Sequence, residues 1–136
     1  MFDTVKIKSE AAIIAKEFNL SLLVVFGSQA RQRTHPKSDV DFGFLAKKKL
    51  GLKDVANLQH EFSKRLKINN LEMHDLNSAP PLLLKHVARD AVLLYEEEGL
   101  LFVRFKIYGI KKFMEAKKLL MFRKAAFDRF LEKARP

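Results

Sequence analysis

The chain has 136 residues, long enough for one domain with its own hydrophobic core and short for two. It contains no cysteine, which excludes disulfides, cysteine-ligated zinc, iron–sulfur clusters and thiol catalysis. With 26 Lys and Arg against 16 Asp and Glu, the net charge of +10 favours polyanionic partners such as nucleic acid, nucleotides or anionic membranes, and says nothing about fold. The longest apolar run, Leu22 to Phe26, is far too short to span a bilayer, and the N-terminus lacks an apolar export core. A cytoplasmic protein without a membrane segment is therefore expected.

In chain order, Thr4 to Glu17 predicts an amphipathic helix with Val5, Ile7, Ala11, Ile14 and Phe18 inward and Asn19 as its stop. Leu20 to Phe26 predicts a strand apolar on both faces, hence central in a sheet covered on both sides. Gly27-Ser28 ends it. Gln29 to Gln32 then predicts a short helical turn, and Thr34 to Ser38 a polar loop. The next strand, Asp39 to Ala46, alternates: Val40, Phe42 and Phe44 fall on a core face, with Asp39, Asp41 and Gly43 on the other. Lys47 to Lys49 reads as a solvated strand end.

Gly51 to Lys67 predicts a second helix, packed through Val55, Leu58, Phe62 and Leu66. Leu71 to Leu76 predicts a third strand, with Leu71 and Met73 opposite Glu72 and His74. A turn over Asn77 to Pro81 leads into a further helix, and Ala91 to Tyr95 predicts the last strand. From Glu97 to Arg135 the sequence is helical, with Gly109 as a bend or a point of close packing. This last segment carries eleven Lys and Arg against five Asp and Glu, so a net of +6 of the +10 lies there. Its phenylalanines, Phe102, Phe105, Phe113, Phe122, Phe127 and Phe130, lie on several sides. That pattern suits burial against the sheet plus a partner, or a tail whose Lys and Arg stems cover its own aromatics. A basic aromatic helix also suits nucleic acid or a membrane surface.

The chemistry concentrates between Phe26 and Phe42. Gly27 lets backbone approach a ligand, and Ser28 adds a hydroxyl where free N–H groups favour phosphate. Asp39 and Asp41, two positions apart on a strand, aim carboxylates the same way, and such a pair repels unless a cation lies between. Hard oxygen donors at this spacing suit Mg²⁺ bridging to nucleotide phosphates. Two such ions clamp the attacking and leaving oxygens of a phosphoryl displacement. Taken alone, each piece has an ordinary structural reading as a turn or a solvated edge strand. Their combination between apolar strands is what points to a site.

Gly-Ser followed at this distance by Asp-x-Asp resembles the signature of the DNA polymerase beta-like nucleotidyltransferase superfamily. The short chain and the runs GSQAR and SDVDF look most like its minimal nucleotidyltransferases, the MNT family, across about Ser9 to Glu96. The resemblance implies an α/β (α+β) fold: a mixed sheet of about four strands with helices packed on it, as in the polymerase beta palm. It also implies a minimal transferase domain over residues 1–96 and a C-terminal helical extension over 97–136. Asp39, Asp41 and Glu72 are the implied catalytic and metal-binding acids for two Mg²⁺ ions. Gly27, Ser28 and Arg31 are the implied nucleotide contacts.

Two positions depart from the family pattern. Gln32 stands where Gly is usual, and Glu72 where Asp is usual. Glu72 is preferred to Asp75 as third acid because it lies opposite Leu71 and Met73. His74, beside Glu72 on the same face, reads as a structural or surface histidine more than as one that orients substrate. His35, His60 and His86 have no metal spacing. The implied donor is ATP and the implied acceptor a HEPN-domain toxin, silenced by adenylylation, with this chain as antitoxin. The rival readings are an antitoxin that acts by binding alone and a nucleic-acid-directed nucleotidyltransferase. A homo-oligomer through the C-terminal helix is a further expectation.

Overall fold

The most apolar segment of the chain, β1 (Leu20–Phe26), is the strand around which the other elements are arranged. The computed structural model describes residues 4–27 and 40–134. The elements are α1 (Thr4–Glu17), β1, β2 (Val40–Ala46), α2 (Leu52–Leu66), β3 (Leu71–Asp75), α3 (Pro81–Asp90), β4 (Val92–Glu96) and α4 (Leu101–Ala134). The four strands form one mixed sheet in the order β3-β2-β1-β4. β1 runs antiparallel to both its neighbours, and β2 and β3 are parallel, joined through α2. This is the mixed, helix-covered sheet that the sequence predicts.

Each face of the sheet has its own core. Leu23 and Val25 of β1, with Phe42 and Phe44 of β2, pack against Ala11 and Ile14 of α1 and Leu58 and Phe62 of α2. Phe42 and Phe62 meet edge to face at 5.7 Å between centroids, an arrangement favoured by the ring quadrupoles. Arg65 of α2 bridges Glu10 and Glu17 of α1 across the rim of this layer. The opposite face of β1, Leu22, Val24 and Phe26, packs against Leu84 and Val87 of α3 and Phe102 and Phe105 of α4. Gly43 makes room on this side: a Cβ there would stand 2.9 Å from Leu76 Cδ1, so the bare backbone lets Leu76 settle on the sheet.

The predicted inward set of α1 needs one correction. Val5 is 82% exposed. It precedes Ile14 by about two and a half turns at 3.6 residues per turn, which puts it on the opposite side of the helix. Ala15, absent from the predicted set, is fully buried beside Ile14. The last helix also starts later than predicted, at Leu101 instead of Glu97. Leu100 takes a left-handed backbone, φ 69°, in the turn before it. The Glu96 carboxylate accepts the Phe102 N–H at 3.0 Å, satisfying a free donor at the new helix N-terminus and placing a negative charge there. The predicted turn over Gln29 to Gln32 and the loop over Thr34 to Ser38 lie outside the described residues.

α4 passes through Gly109 as one continuous helix, so Gly109 is a point of close packing. A Cβ at this position would lie 3.1 Å from the Leu84 carbonyl oxygen of α3. Among the described residues, no helix is long and apolar enough to cross a membrane. Replacing Gly109 with Leu is expected to pry α4 from α3 and lower the unfolding free energy by about 1–3 kcal/mol, as overpacking does. Urea unfolding followed by far-UV circular dichroism measures the change.

Candidate functional site

Asp41 stands in the middle of a three-strand register. It pairs with Phe26 of β1 on one side and with Glu72 of β3 on the other. Directly opposed residues on neighbouring strands project from the same face. The parallel register therefore brings two carboxylates together that are far apart in the chain. His74 follows Glu72 by two positions and shares that face. Its Nε2 lies 3.0 Å from Asp41 Oδ1 and 3.6 Å from Glu72 Oε2. The His74 ring leans against Phe26 with 5.4 Å between centroids. Asp41 is about a quarter exposed, whereas Glu72 is more than half exposed.

Gly27 completes the group from the end of β1. Its backbone takes φ +82°, a region that L side chains rarely adopt, and a Cβ there would stand 2.8 Å from Asp41 Oδ2. Both the turn and the carboxylate beside it require glycine. The same absence of a side chain keeps Asp41 Oδ2 open.

Two adjacent carboxylates repel, and they in turn favour the protonated, positively charged form of His74. Its hydrogen bond to Asp41 is the largest influence, and it holds the imidazole pKa above the ordinary histidine value against the opposing effect of burial. The charges of Asp41 and Glu72 act in the same direction. Ligand atoms of Asp41, Glu72 and His74 all lie within 4.8 Å of one another, so one divalent ion can be reached by all three. Two carboxylates are the hard oxygen donors that Mg²⁺ or Mn²⁺ takes, and the imidazole suits the transition metals. The residues fit a divalent cation.

Of the residues singled out in the sequence, Gly27, Asp41 and Glu72 come together here. Ser28, Arg31 and Asp39 lie outside the described residues. Asp75 is on the other face of β3, with Leu71 and Met73, and its Oδ1 accepts the Asn77 N–H at 3.0 Å to close the following turn. The face assignment that favoured Glu72 over Asp75 is the one observed. His74 is the residue that sequence reasoning undervalued. Its place two positions after Glu72 was visible, but its hydrogen bond to Asp41 depends on the β2–β3 register.

The family described as polymerase beta, nucleotidyltransferase, matches residues 8–99. No curated protein matches the chain. Among solved structures, a toxin–antitoxin crystallised with AMP-PNP superposes with a TM-score of 0.72 at 21% identity, over 91% of this chain and 98% of that one. The MntA–HepT toxin–antitoxin gives 0.66 at 20% identity, over 91% and 96%. The tri-AMPylated HEPN toxin of Shewanella oneidensis in complex with its MNT antitoxin gives 0.67 at 18% identity, over 95% and 99%. At these identities the likeness is one of fold: among the described residues, a four-stranded mixed sheet and four helices, the last of them long, in the polymerase beta-like nucleotidyltransferase arrangement.

The His74–Asp41 pair gives a pH-dependent prediction for the metal-free protein. A histidine whose folded pKa is raised contributes stability that is complete below its unfolded value, about 6.5, and that is lost as pH rises through the folded value. The His74 ring resonance, followed by NMR, is expected to titrate above that value. In Asp41→Asn it is expected to fall back toward it, and thermal stability is expected to lose the corresponding decline with rising pH.

Proposed function

The chain belongs to the polymerase beta-type nucleotidyltransferase family, and we propose that it moves AMP from ATP onto a hydroxyl of a HEPN toxin, acting as the MNT antitoxin of that toxin. The observation that carries this reading is the in-register pairing of Asp41 with Glu72 beside a glycine that leaves Asp41 Oδ2 open. Support comes from relatives of the same fold. One is a toxin–antitoxin holding AMP-PNP and another holds an AMPylated HEPN toxin beside an MNT antitoxin.

Asp39, Asp41 and Glu72 are the residues that would hold the divalent ions, two in number. When bound, such ions polarise the phosphates and stabilise charge on the attacking and leaving oxygens. Gly27 and Ser28 would hold the β- and γ-phosphates, with Arg31 assisting. The acceptor oxygen forms a bond to the α-phosphorus, and the bond from that phosphorus to the bridging oxygen breaks. Pyrophosphate departs with the electron pair. The acceptor proton passes to Glu72, the most exposed of the three grouped side chains and so the one within reach of an incoming protein hydroxyl. His74 keeps Asp41 oriented from the adjacent strand, donating its Nε2 proton to the carboxylate while no metal is bound. Residues 1–96 form the catalytic unit in this reading, and residues 97–136 form its extension.

Incubating the protein with ATP, Mg²⁺ and a HEPN toxin, then weighing the toxin intact, tests the reading. Wild-type protein is expected to add one or more AMP groups. Asp39→Asn and Asp41→Asn are each expected to lose more activity than the roughly 10–100-fold that outer partners of a metal site cost when removed. Toxin neutralised without any mass change would assign the chain to inhibition by binding. AMP found on RNA instead of the toxin would assign it to nucleic-acid-directed transfer.

A further inference from the structure

α4 is 34 residues long, about 50 Å at 1.5 Å per residue, and only its first third lies on the domain. Phe102 and Phe105 are buried against α3 and the sheet, and Gly109 touches Leu84. Farther along, Phe113 still meets α3, its ring lying 4.6 Å beneath Lys85 Nζ. Beyond it every residue to Ala134 is exposed except half-buried Ala116.

The apolar side of the helix does not stop where the domain stops. At 3.6 residues per turn the side that carries Phe102, Phe105, Gly109 and Phe113 continues through Leu120, Phe127 and Leu131. These three are 62%, 58% and 43% exposed, so the same stripe that packs α4 onto α3 runs on uncovered for about 30 Å. A second exposed apolar row, Val103, Ile107, Ile110 and Met114, runs along the proximal part of the helix about a third of a turn round from the first. A helix apolar on two sides belongs in an enclosing groove more than against one flat neighbour.

Charge selects the occupant. Arg123 interrupts the uncovered stripe, and Lys117 and Lys124 border it within about a quarter-turn of its centre. Of the acids of this stretch, Asp128 lies within about a quarter-turn of that centre while Glu115 and Glu132 lie farther round, so basic side chains outnumber acidic ones along the stripe. In a two-fold antiparallel pair of these segments, the midpoint of 114–134 would set Arg123 and Lys124 against their own copies. Like charges facing across an interface oppose such pairing. An apolar groove rimmed with Asp and Glu complements the stripe instead.

We infer that the distal half of α4 is the docking arm for the protein acceptor and seats in an apolar, acid-rimmed groove on it. The inference rests on the proposed transfer to a HEPN toxin, because that toxin is the partner to which the arm is assigned. It gives the excess positive charge of the chain a place: recognition by α4, apart from the catalytic face.

Calorimetric titration of the full chain with purified HEPN toxin, at low and high salt, tests it. Two double variants serve, Leu120→Asp with Phe127→Asp and Arg123→Glu with Lys124→Glu. Both lie on exposed helix surface, and circular dichroism with ATP-analogue binding verifies that fold and catalytic site persist. Each is expected to weaken toxin binding about tenfold or more, as loss of anchoring residues does, and wild-type binding is expected to weaken with salt. Unchanged affinity in both variants overturns the inference, while AMP transfer by those variants leaves the proposed reaction standing. Lost affinity in the variants, with no AMP transfer by wild type, supports the arm and removes the reaction. Absence of wild-type binding overturns the inference outright. A wild-type dimer in light scattering that dissociates in the Leu120→Asp, Phe127→Asp variant also overturns it, by giving the stripe to a second copy.

Discussion

Two carboxylates held side by side on neighbouring parallel strands are the constraint on which the site depends. Asp41 and Glu72 are opposed because β2 and β3 run parallel in register, a direction that the crossover through α2 allows. The core face of the same strands fixes the register. Phe42 and Phe44 alternate with Asp41, and Leu71 and Met73 alternate with Glu72, so a slip by one residue would bury the acids and expose the core. Burial of one face thus aims the charges on the other. His74 is hydrogen-bonded to Asp41 from the adjacent strand, and Gly27 keeps the approach to Asp41 open.

The arrangement has a consequence for metal binding. A cation held by Asp41 and Glu72 would oppose a positive charge on His74 beside them. Ion binding and proton release are thereby linked. His74 is hydrogen-bonded to Asp41 and half-enclosed beside Phe26, so it positions the carboxylate.

Much of this was legible in the chain. The apolar run of β1 has the bounds that its composition predicts, because a strand covered on both faces needs no polar alternation to mark it. The alternation in β2 and β3 separated core from charge residue by residue and placed Glu72 and Asp75 on opposite faces. What could not be read was contact across strands. The approach of His74 to Asp41, and of Gly27 to the same carboxylate, requires a register that no local pattern encodes. Val5 was misplaced because an apolar residue near a helix start fits a loose periodicity while lying half a turn off the stripe. The late start of α4 depends on the Glu96 carboxylate finding the Phe102 N–H, a tertiary cap instead of a local one. The scattered phenylalanines of α4 announced more apolar surface than one contact uses, and the uncovered distal stripe is where that surplus lies.

The central claim is that Asp41 and Glu72 form a divalent-cation site for a nucleoside triphosphate. The most direct measurement is calorimetric titration of the chain with a non-hydrolysable ATP analogue, with and without Mg²⁺. The account predicts binding that requires the ion and is lost in Asp41→Asn and in Glu72→Gln. Binding of equal strength without the ion, or undiminished in both variants, would contradict it.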